Sequence, residues 1–394
     1  MTAPDMLRVL VLSTLFPDAT RPTFGVFVEK QTLALAARSN VAVHVVAPIG
    51  APAWPLSLHP RYRGFSAVPY REDWKGLTVE RPRFPVIPKI GQARRPAAMA
   101  RALIPLLEDM RGQFPFDAIA AQFFYPDGPA AIALGRHFGV PVSIKARGAD
   151  IHLWGRKFAT RRPVREAGRA AEGLLAVSGA MKADMIALGM PAERITVHYT
   201  GIDRDLFTPA DRQKAKAEWD VAGPLIITAG ALIPRKGQVL VVEAMRELPD
   251  ATLFLVGEGE HRGAIERRIA VLGLEGRVRL LGRQPHDAVA RLLAAADVMA
   301  LPSESEGLAN VWVEALACGT PVVISDCGGA RELVDRPEAG AIVPREPGAI
   351  AKAIAAILAD PPSQAAVRET VAEFSWERNG EALEAQLRQL VGEN

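Results

Sequence analysis

The feature that most constrains the fold of this chain is a regular alternation of short apolar runs with longer, alanine-rich stretches. The runs are rich in β-branched residues, which is typical of parallel strands covered on both faces, and the stretches between them predict helices. Two consecutive sets of six runs predict an α/β protein with two doubly wound, Rossmann-like domains facing a central cleft. The predicted strands are Arg8–Ser13, Val41–Ala47, Phe116–Ala121, Val142–Ala146, Leu174–Ser178 and Ile195–Thr200, followed by Leu225–Ala229, Thr252–Val256, Val278–Leu281, Val298–Leu301, Val322–Ser325 and Ala341–Val343.

The length of 394 residues also favours two domains, because single cores rarely grow beyond about 250–300 residues. We place the boundary near Gly201–Pro209, where the sixth run ends ahead of a charged helical stretch. Ligands bind doubly wound sheets at the carboxyl ends of the strands. With two such domains facing each other, the expected binding site is the cleft between them.

The composition excludes several protein classes. Hydrophobic residues make up 49% of the chain and charged residues 23%, as in ordinary globular proteins. No uncharged apolar run reaches the roughly 18 residues that a membrane span needs. The first apolar run, Val9–Leu12, is short and lacks a basic leader, so it predicts a buried strand rather than a signal peptide. The two cysteines, Cys318 and Cys327, support neither a disulfide framework nor a zinc site, which favours a cytoplasmic protein.

The most informative segment spans residues 303–321 and follows a predicted strand. Gly307 allows a tight loop, and a helix is predicted from about Leu308. A helix N-terminus favours a diphosphate, because it combines free N–H groups with positive dipole charge. Glu306 lies in the loop, and Glu314 lies about 12 Å further along at 1.5 Å per residue, so they could accept hydroxyl hydrogens from the hexose and the ribose of one nucleotide sugar. Taken alone, two glutamates at this spacing would more often be one helix cap and one surface carboxylate, and it is their context that reverses this.

The context of these glutamates carries a resemblance to a known family. Glu306-x7-Glu314, followed by the block from Ala315 to Val323, resembles the donor-site signature of the retaining glycosyltransferases of family 4, which have the GT-B fold. Five further pieces resemble the same family and together cover most of the chain: Gly25 with Phe27-Val28, Gly201-Ile202-Asp203 with Phe207 and Pro209, Pro234-Arg235-Lys236-Gly237, Val256-Gly257-Glu258-Gly259, and Phe374-Ser375-Trp376. The E-x7-E block is specific, whereas the glycine pieces are not.

The resemblance implies how the domains and the donor site are organised. Residues 1–205 would form an acceptor-binding domain, joined by a C-terminal helix at 375–394, and residues 206–374 would bind the nucleotide sugar. Glu306 is assigned to the donor sugar, Glu314 to the ribose, and Lys236 to the diphosphate. The other donor-binding residues would be Gly25, Arg235, Gly257, Gly307 and the backbone of Leu308, Ala309 and Asn310.

Physical chemistry supports one of these roles and leaves alternatives for others. A charge-assisted bond from Lys236 strengthens as negative charge develops on a leaving diphosphate. Lys236 could instead be a solvated loop charge, and Gly25 and Gly257 could serve only tight turns. The resemblance further implies hexosyl transfer from a UDP- or GDP-linked donor, with retention of configuration by same-face attack.

The chain departs from the family pattern at two places. Ala231 follows Gly230 where the family usually has arginine, and Arg147 stands where the family often has histidine. Histidine could exchange protons, whereas arginine cannot act as a base. We predict that Arg147 supplies the cation that Ala231 lacks and takes part in catalysis. The alternative is that Arg147 pairs with Asp150 and has a structural role.

No metal and no other cofactor are expected. The sequence lacks the Asp-x-Asp pair that would hold a divalent cation on a diphosphate, and a helix N-terminus with Lys236 could replace that cation. His44 and His198 lie in predicted strands and are interpreted as structural. No side chain stands out as a covalent nucleophile.

Two basic stretches suggest an acceptor or membrane surface. One combines cations with aromatic residues and contains Trp154, Arg156, Lys157, Arg161 and Arg162; the other runs from Pro88 to Arg95. Such mixtures suit an anionic membrane, and no nucleic-acid fold motif accompanies them. Because the family often uses lipid-linked acceptors, and Pro22–Gln31 resembles members that build bacterial envelope polysaccharides, we expect a glycan or lipid-linked acceptor and peripheral binding to the inner membrane face. The alternative is a solvated basic loop.

Three other functions compete with this interpretation. A sugar-nucleotide epimerase can share the two-domain fold and would need no acceptor. A dinucleotide-dependent oxidoreductase would need a G-x-G-x-x-G loop after the first strand, but the chain has Thr14–Asp18 there. A non-catalytic sugar-nucleotide binding protein would not need an intact set of Glu306, Lys236 and Glu314.

Overall fold

The computed structural model describes residues 6–22, 24–52, 54–56, 59, 64–87 and 91–392. The chain divides into two compact units. The first comprises Met1–Gly201 together with Trp376–Asn394, and the second comprises Ile202–Ser375. The sequence analysis placed the corresponding boundaries after residues 205 and 374.

The segment that follows Gly201 belongs to the second unit because it is bonded to that unit's last residues. Ile202 forms a β-bridge with Ser375. The guanidinium of Arg204 donates to the carbonyl oxygen of Val371 at 2.8 Å. The division therefore lies at Gly201, slightly ahead of the charged helical stretch that guided the sequence analysis.

The first unit is built on a mostly parallel sheet. Its strands are β1 (Leu7–Leu12), β2 (Val41–Val46), β3 (Ile49–Ala51), β4 (Arg71–Trp74), β5 (Leu77–Glu80), β6 (Arg83–Pro85), β7 (Ala118–Ala121), β8 (Val142–Ala146), β9 (Gly173–Ala176) and β10 (Ile195–Val197). The spatial order is β10-β9-β8-β7-β1-β2-β5-β4, and β3 pairs separately with β6. Only β4 in this described sheet runs antiparallel to its neighbour. The order of strands reverses between β1 and β7, which is the switch point of a doubly wound sheet.

The second unit contains a fully parallel sheet over its described residues. Its strands are β11 (Leu225–Ala229), β12 (Thr252–Val256), β13 (Val278–Gly282), β14 (Val298–Leu301), β15 (Val322–Ser325) and β16 (Gly340–Val343). The spatial order is β13-β12-β11-β14-β15-β16. Here the switch point lies between β11 and β14, whose carboxyl ends therefore lie side by side at one edge of the sheet.

Helices connect the strands and flank both sheets. The α-helices are Val26–Ala36, Arg95–Arg111, Asp127–Phe138, Arg161–Ala170, Gly179–Ala187 and Trp376–Val391 in the first unit, and Arg212–Ala217, Gln238–Ala244, Arg262–Leu272, His286–Ala295, Asn310–Ala317, Ala330–Leu333, Pro347–Ala359 and Gln364–Glu369 in the second. None of these helices, over the ranges that the structure describes, is long and apolar enough to cross a bilayer.

The predicted fold class, an α/β protein with two doubly wound units, is confirmed. Each predicted apolar run forms a strand, although several strands end earlier than predicted; β10, for example, ends at Val197 rather than at Thr200. Strands β3 to β6 were not predicted. Strands β3 and β6 are only three residues long, and β4 is an edge strand of mostly charged residues. These three strands therefore carry no apolar run.

The C-terminal helix Trp376–Val391 packs into the first unit. Its Leu383 and Leu387 are buried in the core formed around β1, β2 and β7. Gly380 lets the helix approach its neighbour closely, since a Cβ at this position would lie 2.7 Å from the carbonyl oxygen of Ala34. An ion pair between Arg38 and Glu384 at 2.8 Å adds to this contact. Through this packing the end of the chain completes the first unit.

Candidate functional site

Three of the predicted site residues meet at the switch point of the second unit. A 3₁₀ turn, Pro234–Lys236, follows β11, and the loop that contains Glu306 follows β14. Lys236 Nζ lies 2.5 Å from Glu306 Oε1, and Arg235 Nη1 lies 3.6 Å from the same oxygen. The two loops are also joined by backbone, because the N–H of Glu304 donates to the carbonyl of Arg235 at 2.8 Å. Neighbouring parallel strands thus bring together side chains that are 70 residues apart in the sequence.

The Lys236–Glu306 pair is largely removed from solvent. Only 14% of the lysine side chain and 11% of the glutamate side chain are exposed. An ion pair in this setting is screened less than one at the surface, and removal of one partner would leave the other charge uncompensated. The pair holds the side chains of Lys236 and Glu306 together at the carboxyl edge of the sheet.

The helix after this loop begins later than predicted. It spans Asn310–Ala317, with Ala309 at the N-cap position and no side-chain cap, so Leu308 and Ala309 precede the helix instead of beginning it. Gly307, Leu308 and Ala309 are buried, and Asn310 is half-buried. The sequence signal for the start was the glycine loop, which marks a turn but not where helical backbone angles begin.

Glu314 lies within this helix and is buried. Its Oε1 lies 3.4 Å from Nε2 of His286, and the His286 ring packs edge-on against Phe207 with ring centroids 5.0 Å apart. Burial, reinforced by the nearby Glu314 carboxylate, raises the pKa of the Cys318 thiol to about 12. His286 was not predicted as a site residue, because a single histidine at the start of a helix carries no motif.

Gly257 is required where backbones pack against each other. It follows β12 with a φ of 139°, and a Cβ there would collide with the carbonyl oxygen of Gly230, which follows β11. The N–H of Gly230 donates to the carbonyl of Val256 at 2.9 Å. The neighbouring Ala231 is exposed. Close backbone packing therefore explains the glycine at position 257. The proposed role of Gly257 in ligand binding stays a prediction.

Gly25 in the first unit is also conformationally required. It is the N-cap of the helix Val26–Ala36 and has a φ of 73°. A Cβ at Gly25 would collide with the carbonyl oxygen of Leu15, in the loop after β1. The glycine thus lets the helix N-terminus approach the carboxyl end of β1, and its role near phosphates stays a prediction.

The guanidinium of Arg147 is bonded to glutamines rather than to Asp150. Nε donates to the carbonyl of Gln122 at 2.8 Å, and Nη2 donates to Oε1 of Gln122 at 2.9 Å and to Oε1 of Gln31 at 3.2 Å. Asp150 instead accepts from the backbone N–H of Arg147 at 3.0 Å. Burial lowers the pKa of Arg147 to about 10, which still leaves it charged at neutral pH. Arg147 therefore contacts Asp150 through its backbone N–H, and its guanidinium makes no hydrogen bond to Asp150.

A second buried basic side chain lies beside Arg147. Nζ of Lys145 is 2.8 Å from Oε1 of Gln31 and 2.8 Å from Nδ1 of His198. His198 Nε2 lies 2.8 Å from the carbonyl oxygen of Asn379. Burial, together with the charge on Arg147, lowers the pKa of Lys145 well below its ordinary value. His198 lies just after β10 in this network, which fits the structural role predicted for it.

The basic stretch around residue 154 is an exposed surface of the first unit. Trp154 stacks on Tyr125 with ring centroids 5.1 Å apart, and Lys157 Nζ lies 4.3 Å from the Trp154 ring centre. Phe158 is 85% exposed, and the guanidinium of Arg161 lies over its ring. Arg162 is exposed and pairs with Glu166 at 2.7 Å; Arg156 is exposed as well. In the second predicted stretch, Pro88 and Lys89 lie outside the described residues.

Comparisons with known proteins point to one family. A model described as "Glycosyltransferase Family 4" matches residues 25–206, and a model described as "Glycosyl transferases group 1" matches residues 209–374. D-inositol 3-phosphate glycosyltransferase of Mycobacterium tuberculosis (strain ATCC 25618 / H37Rv) is 36% identical over 220 residues, which is 52% of this chain. The match spans 46% of that relative, so it leaves about half of the relative's length unmatched.

Solved structures share the fold at low identity. Sucrose-phosphate synthase from Thermosynechococcus elongatus superposes with a TM-score of 0.80 at 23% identity, covering 98% of this chain and 100% of that one. HepE from Anabaena, solved in complex with UDP, superposes with a TM-score of 0.73 at 23% identity over the same shares. At these identities the likeness shows the fold alone.

Proposed function

Because the chain belongs to the family 4 glycosyltransferases, we propose that it transfers a hexose-type sugar from a UDP- or GDP-linked donor to an acceptor. The observation that carries this proposal is the convergence of Lys236, Arg235 and Glu306 at the switch point of the second unit, ahead of the helix Asn310–Ala317. Doubly wound sheets bind ligands at such a point, and a helix N-terminus there favours phosphate. The Anabaena protein of similar fold has also been solved with UDP-glucose, which is consistent with a nucleotide-sugar donor.

Each side chain has a distinct part in the proposed reaction. Lys236 donates to the diphosphate, and this bond strengthens as charge develops on the leaving group. Glu306 accepts hydroxyl hydrogens from the donor sugar. Glu314, held near His286, accepts from the ribose. Backbone N–H groups of Leu308, Ala309 and Asn310 face the sugar and the phosphates in this proposal.

The proposed chemistry retains the anomeric configuration and needs no metal. Retention is supported by the family resemblance of the E-x7-E block, with same-face attack assisted by the leaving phosphate. Lys236 and the helix N-terminus supply the positive charge that a divalent cation would otherwise bring to the diphosphate. Arg147 is proposed to add a further cation to the reacting state.

The proposed acceptor is a glycan or a lipid-linked glycan of the bacterial envelope, used by an enzyme of the cytoplasm that binds the inner membrane face peripherally. Exposed Phe158 beside Arg156, Lys157 and Arg161 supports a surface that favours anionic lipid. The matched relatives are named for an inositol phosphate, which makes a phosphorylated polyol a further acceptor class to test.

A thermal-shift panel of nucleoside diphosphates and nucleotide sugars tests the donor proposal. A ligand at 100-fold over its dissociation constant stabilises the folded state by about 2.7 kcal/mol. We expect either the uridine or the guanosine series to raise the melting temperature, and Lys236→Met to reduce that shift. If neither series stabilises the folded wild-type protein, the donor proposal is wrong.

An epimerase remains the alternative enzyme. It would bind the same donor, invert one carbon of the sugar and release no nucleoside diphosphate. Incubating the protein with its stabilising nucleotide sugar and analysing the sugar by NMR separates the two activities. Transfer predicts a new glycoside with free nucleoside diphosphate, whereas epimerisation predicts an inverted sugar still bound to its nucleotide.

A further inference from the structure

A cavity of about 240 Å³ opens at the carboxyl edge of the first unit's sheet. Its walls include Thr14 after β1, Pro48 after β2, Arg81 after β5 and Pro126 after β7. This edge includes the switch point between β1 and β7, where doubly wound sheets bind ligands. The residues that line the cavity all belong to the first unit.

One wall carries a buried guanidinium with a free donor. Arg81 is 1% exposed. Its Nη2 donates to the carbonyl of Pro17 at 2.6 Å and lies 2.6 Å from Glu72 Oε1. Its Nη1 is buried and has no hydrogen-bond partner among the described residues. A buried donor without an acceptor costs roughly 1–3 kcal/mol, so this atom suits an acceptor that a ligand brings.

Two more guanidinium groups line the same cavity. Arg95, the first residue of the helix Arg95–Arg111, is half-buried. Its backbone N–H donates to the carbonyl of Gln92, while its guanidinium makes no ion pair or hydrogen bond with another described residue. Arg21 is held by Asp18 at 2.7 Å and packs over the Phe65 ring. Sequence analysis placed Arg95 in a basic stretch for a membrane surface, but the structure places it in the wall of a cavity.

The charge balance of the lining fits a dianion. The described lining residues include three guanidinium groups and one carboxylate, that of Asp18. Both oxygens of this carboxylate already accept hydrogen bonds, one from Thr20 and one from Arg21. Burial lowers the pKa of Arg81; of two charged residues outside the lining, Glu72 raises this pKa and Arg83 lowers it. Guanidinium forks match the geometry of phosphate oxygens.

The remaining walls are mostly apolar and include three aromatic rings. Phe16 and Phe84 are buried, and Phe65 is half-buried. The cavity is several times larger than the roughly 30 Å³ that one water occupies, so it has room for a phosphoryl group and part of the body that carries it.

We propose that this arginine pocket, formed by Arg21, Arg81 and Arg95 with Phe16 and Phe65, binds a phosphoryl group on a small polar body. We identify that small polar body with the acceptor, a step that rests on the proposed function. The acceptor would then be a phosphorylated compound. Arg81 and Arg95 bind the phosphoryl oxygens, while the aromatic rings contact the body. A soluble sugar or polyol phosphate and a lipid phosphate share this chemistry, and the test separates them.

The test compares phosphate binding by wild-type protein, Arg95→Gln and Arg94→Gln. Arg94 is the matched control, because it is adjacent, exposed and not among the residues that line the pocket. Calorimetric titrations use inorganic phosphate, glucose 6-phosphate and glucose, with saturating UDP and GDP present so that phosphate cannot report on the donor site. A parallel arm measures sedimentation with phosphatidylcholine vesicles that contain phosphatidic acid.

We expect glucose 6-phosphate to bind and glucose not to bind. Arg95→Gln should weaken phosphate binding about ten- to a hundredfold, because it removes charge-assisted hydrogen bonds, and Arg94→Gln should leave it unchanged. Arg95-dependent binding to the vesicles alone would assign the phosphoryl group to a lipid. Equal phosphate affinity in wild type and Arg95→Gln, or no binding of any phosphate probe in either arm, overturns the proposal.

The same titrations separate this proposal from the donor proposal. Arg95→Gln should bind UDP or GDP as the wild type does, since Arg95 is not among the proposed donor-binding residues. Arg95-dependent phosphate binding by a protein that binds neither nucleotide would overturn the donor proposal and keep the arginine pocket. Nucleotide binding without Arg95-dependent phosphate binding would keep the donor proposal and overturn the arginine pocket.

Discussion

Glu306 and Lys236 form the pair on which the proposed donor chemistry depends. We expect Glu306→Gln to slow sugar transfer about ten- to a hundredfold with little change in nucleotide affinity, because it removes an acceptor for the donor sugar and leaves the nucleotide contacts intact. Glutamine is preferred to alanine here, since alanine would leave Lys236 with no polar partner at this position. Initial rates and calorimetric nucleotide binding measure the two effects. Glu304→Gln is the control, because Glu304 is the exposed neighbour in the same loop.

Glu314 should behave in the opposite way. Its predicted partner is the ribose, so Glu314→Ala should weaken nucleotide binding about tenfold while bound donor still reacts. The contrast between the two glutamates is more informative than either variant alone. Full activity and unchanged nucleotide affinity in both variants, at a temperature where both are folded, would contradict the site assignment.

Arg147 has a predicted catalytic role and an observed structural one. Its guanidinium donates to the side-chain oxygens of Gln31 and Gln122 and to the carbonyl oxygen of Gln122. Arg147→Ala removes these buried hydrogen bonds and should cost about 1–3 kcal/mol of unfolding free energy, although each side-chain oxygen keeps a second donor. If Arg147 also acts on the donor in the reacting state, Arg147→Ala lowers turnover about ten- to a hundredfold with nearly unchanged nucleotide affinity.

The double variant Arg147→Ala with Ala231→Arg decides between these roles. Restored turnover would show that position 231 can supply the cation, as the family pattern suggests. A double variant that turns over no faster than Arg147→Ala, measured where both are folded, would leave Arg147 with its structural role alone.

Among the elements, those with a strong apolar signal could be predicted from the sequence. Strands β11, β12 and β14 have the predicted bounds, because each is a continuous apolar run that is buried on both faces. The charged edge strand β4 carries no such signal, and its pairing with β5 depends on a turn at Lys75 and Gly76, both of which have positive φ. The start of the helix Asn310–Ala317 was predicted two residues early, since the motif around Glu306 contains no N-cap side chain.

The exposed stretch from Trp154 to Arg169 is predicted to bind anionic membranes. Each basic residue near such a surface contributes about 1 kcal/mol, so the double reversal Arg161→Glu with Arg162→Glu should release the protein from anionic vesicles at low salt. Sedimentation with vesicles measures the bound fraction. The control, Arg267→Glu with Lys352→Glu, makes the same charge change on exposed residues of the second unit and should bind like wild type. A solvated basic loop is favoured if the wild type does not bind the vesicles. It is also favoured if the variant at Arg161 and Arg162 binds them as well as the control variant does.

For the whole molecule, the family could be predicted from the sequence and the donor residues could be proposed from it, whereas the contacts of those residues in the fold could not be predicted. The E-x7-E block and the loop with Lys236 carry strong motifs. His286 beside Glu314, and the arginine pocket, arise from contacts between residues far apart in the chain, and no spacing along the sequence encodes them. Arg81 lies in a segment without a motif, and only its burial in the folded chain marks it.

Metal dependence is a property of the whole enzyme. We expect sugar transfer to survive excess chelator, because in the proposed site Lys236 and the helix N-terminus supply the positive charge at the diphosphate. Rates are compared with and without chelator, and with magnesium or manganese added back. Loss of transfer on chelation, restored by either metal, would show that the phosphate site has been misinterpreted.

The most direct measurement of the central claim is the release of nucleoside diphosphate from UDP- and GDP-sugars in the presence of bacterial glycan and lipid extracts. Wild-type protein and Lys236→Met are compared at equal concentration, after thermal unfolding has shown that both are folded. We expect wild type to release nucleoside diphosphate from one donor series, with the sugar recovered on an acceptor, and Lys236→Met to be slower by about a hundredfold. No release by the wild type from either series, or equal release by Lys236→Met, would contradict the claim that this chain is a sugar transferase acting through the cluster of Lys236 and Glu306.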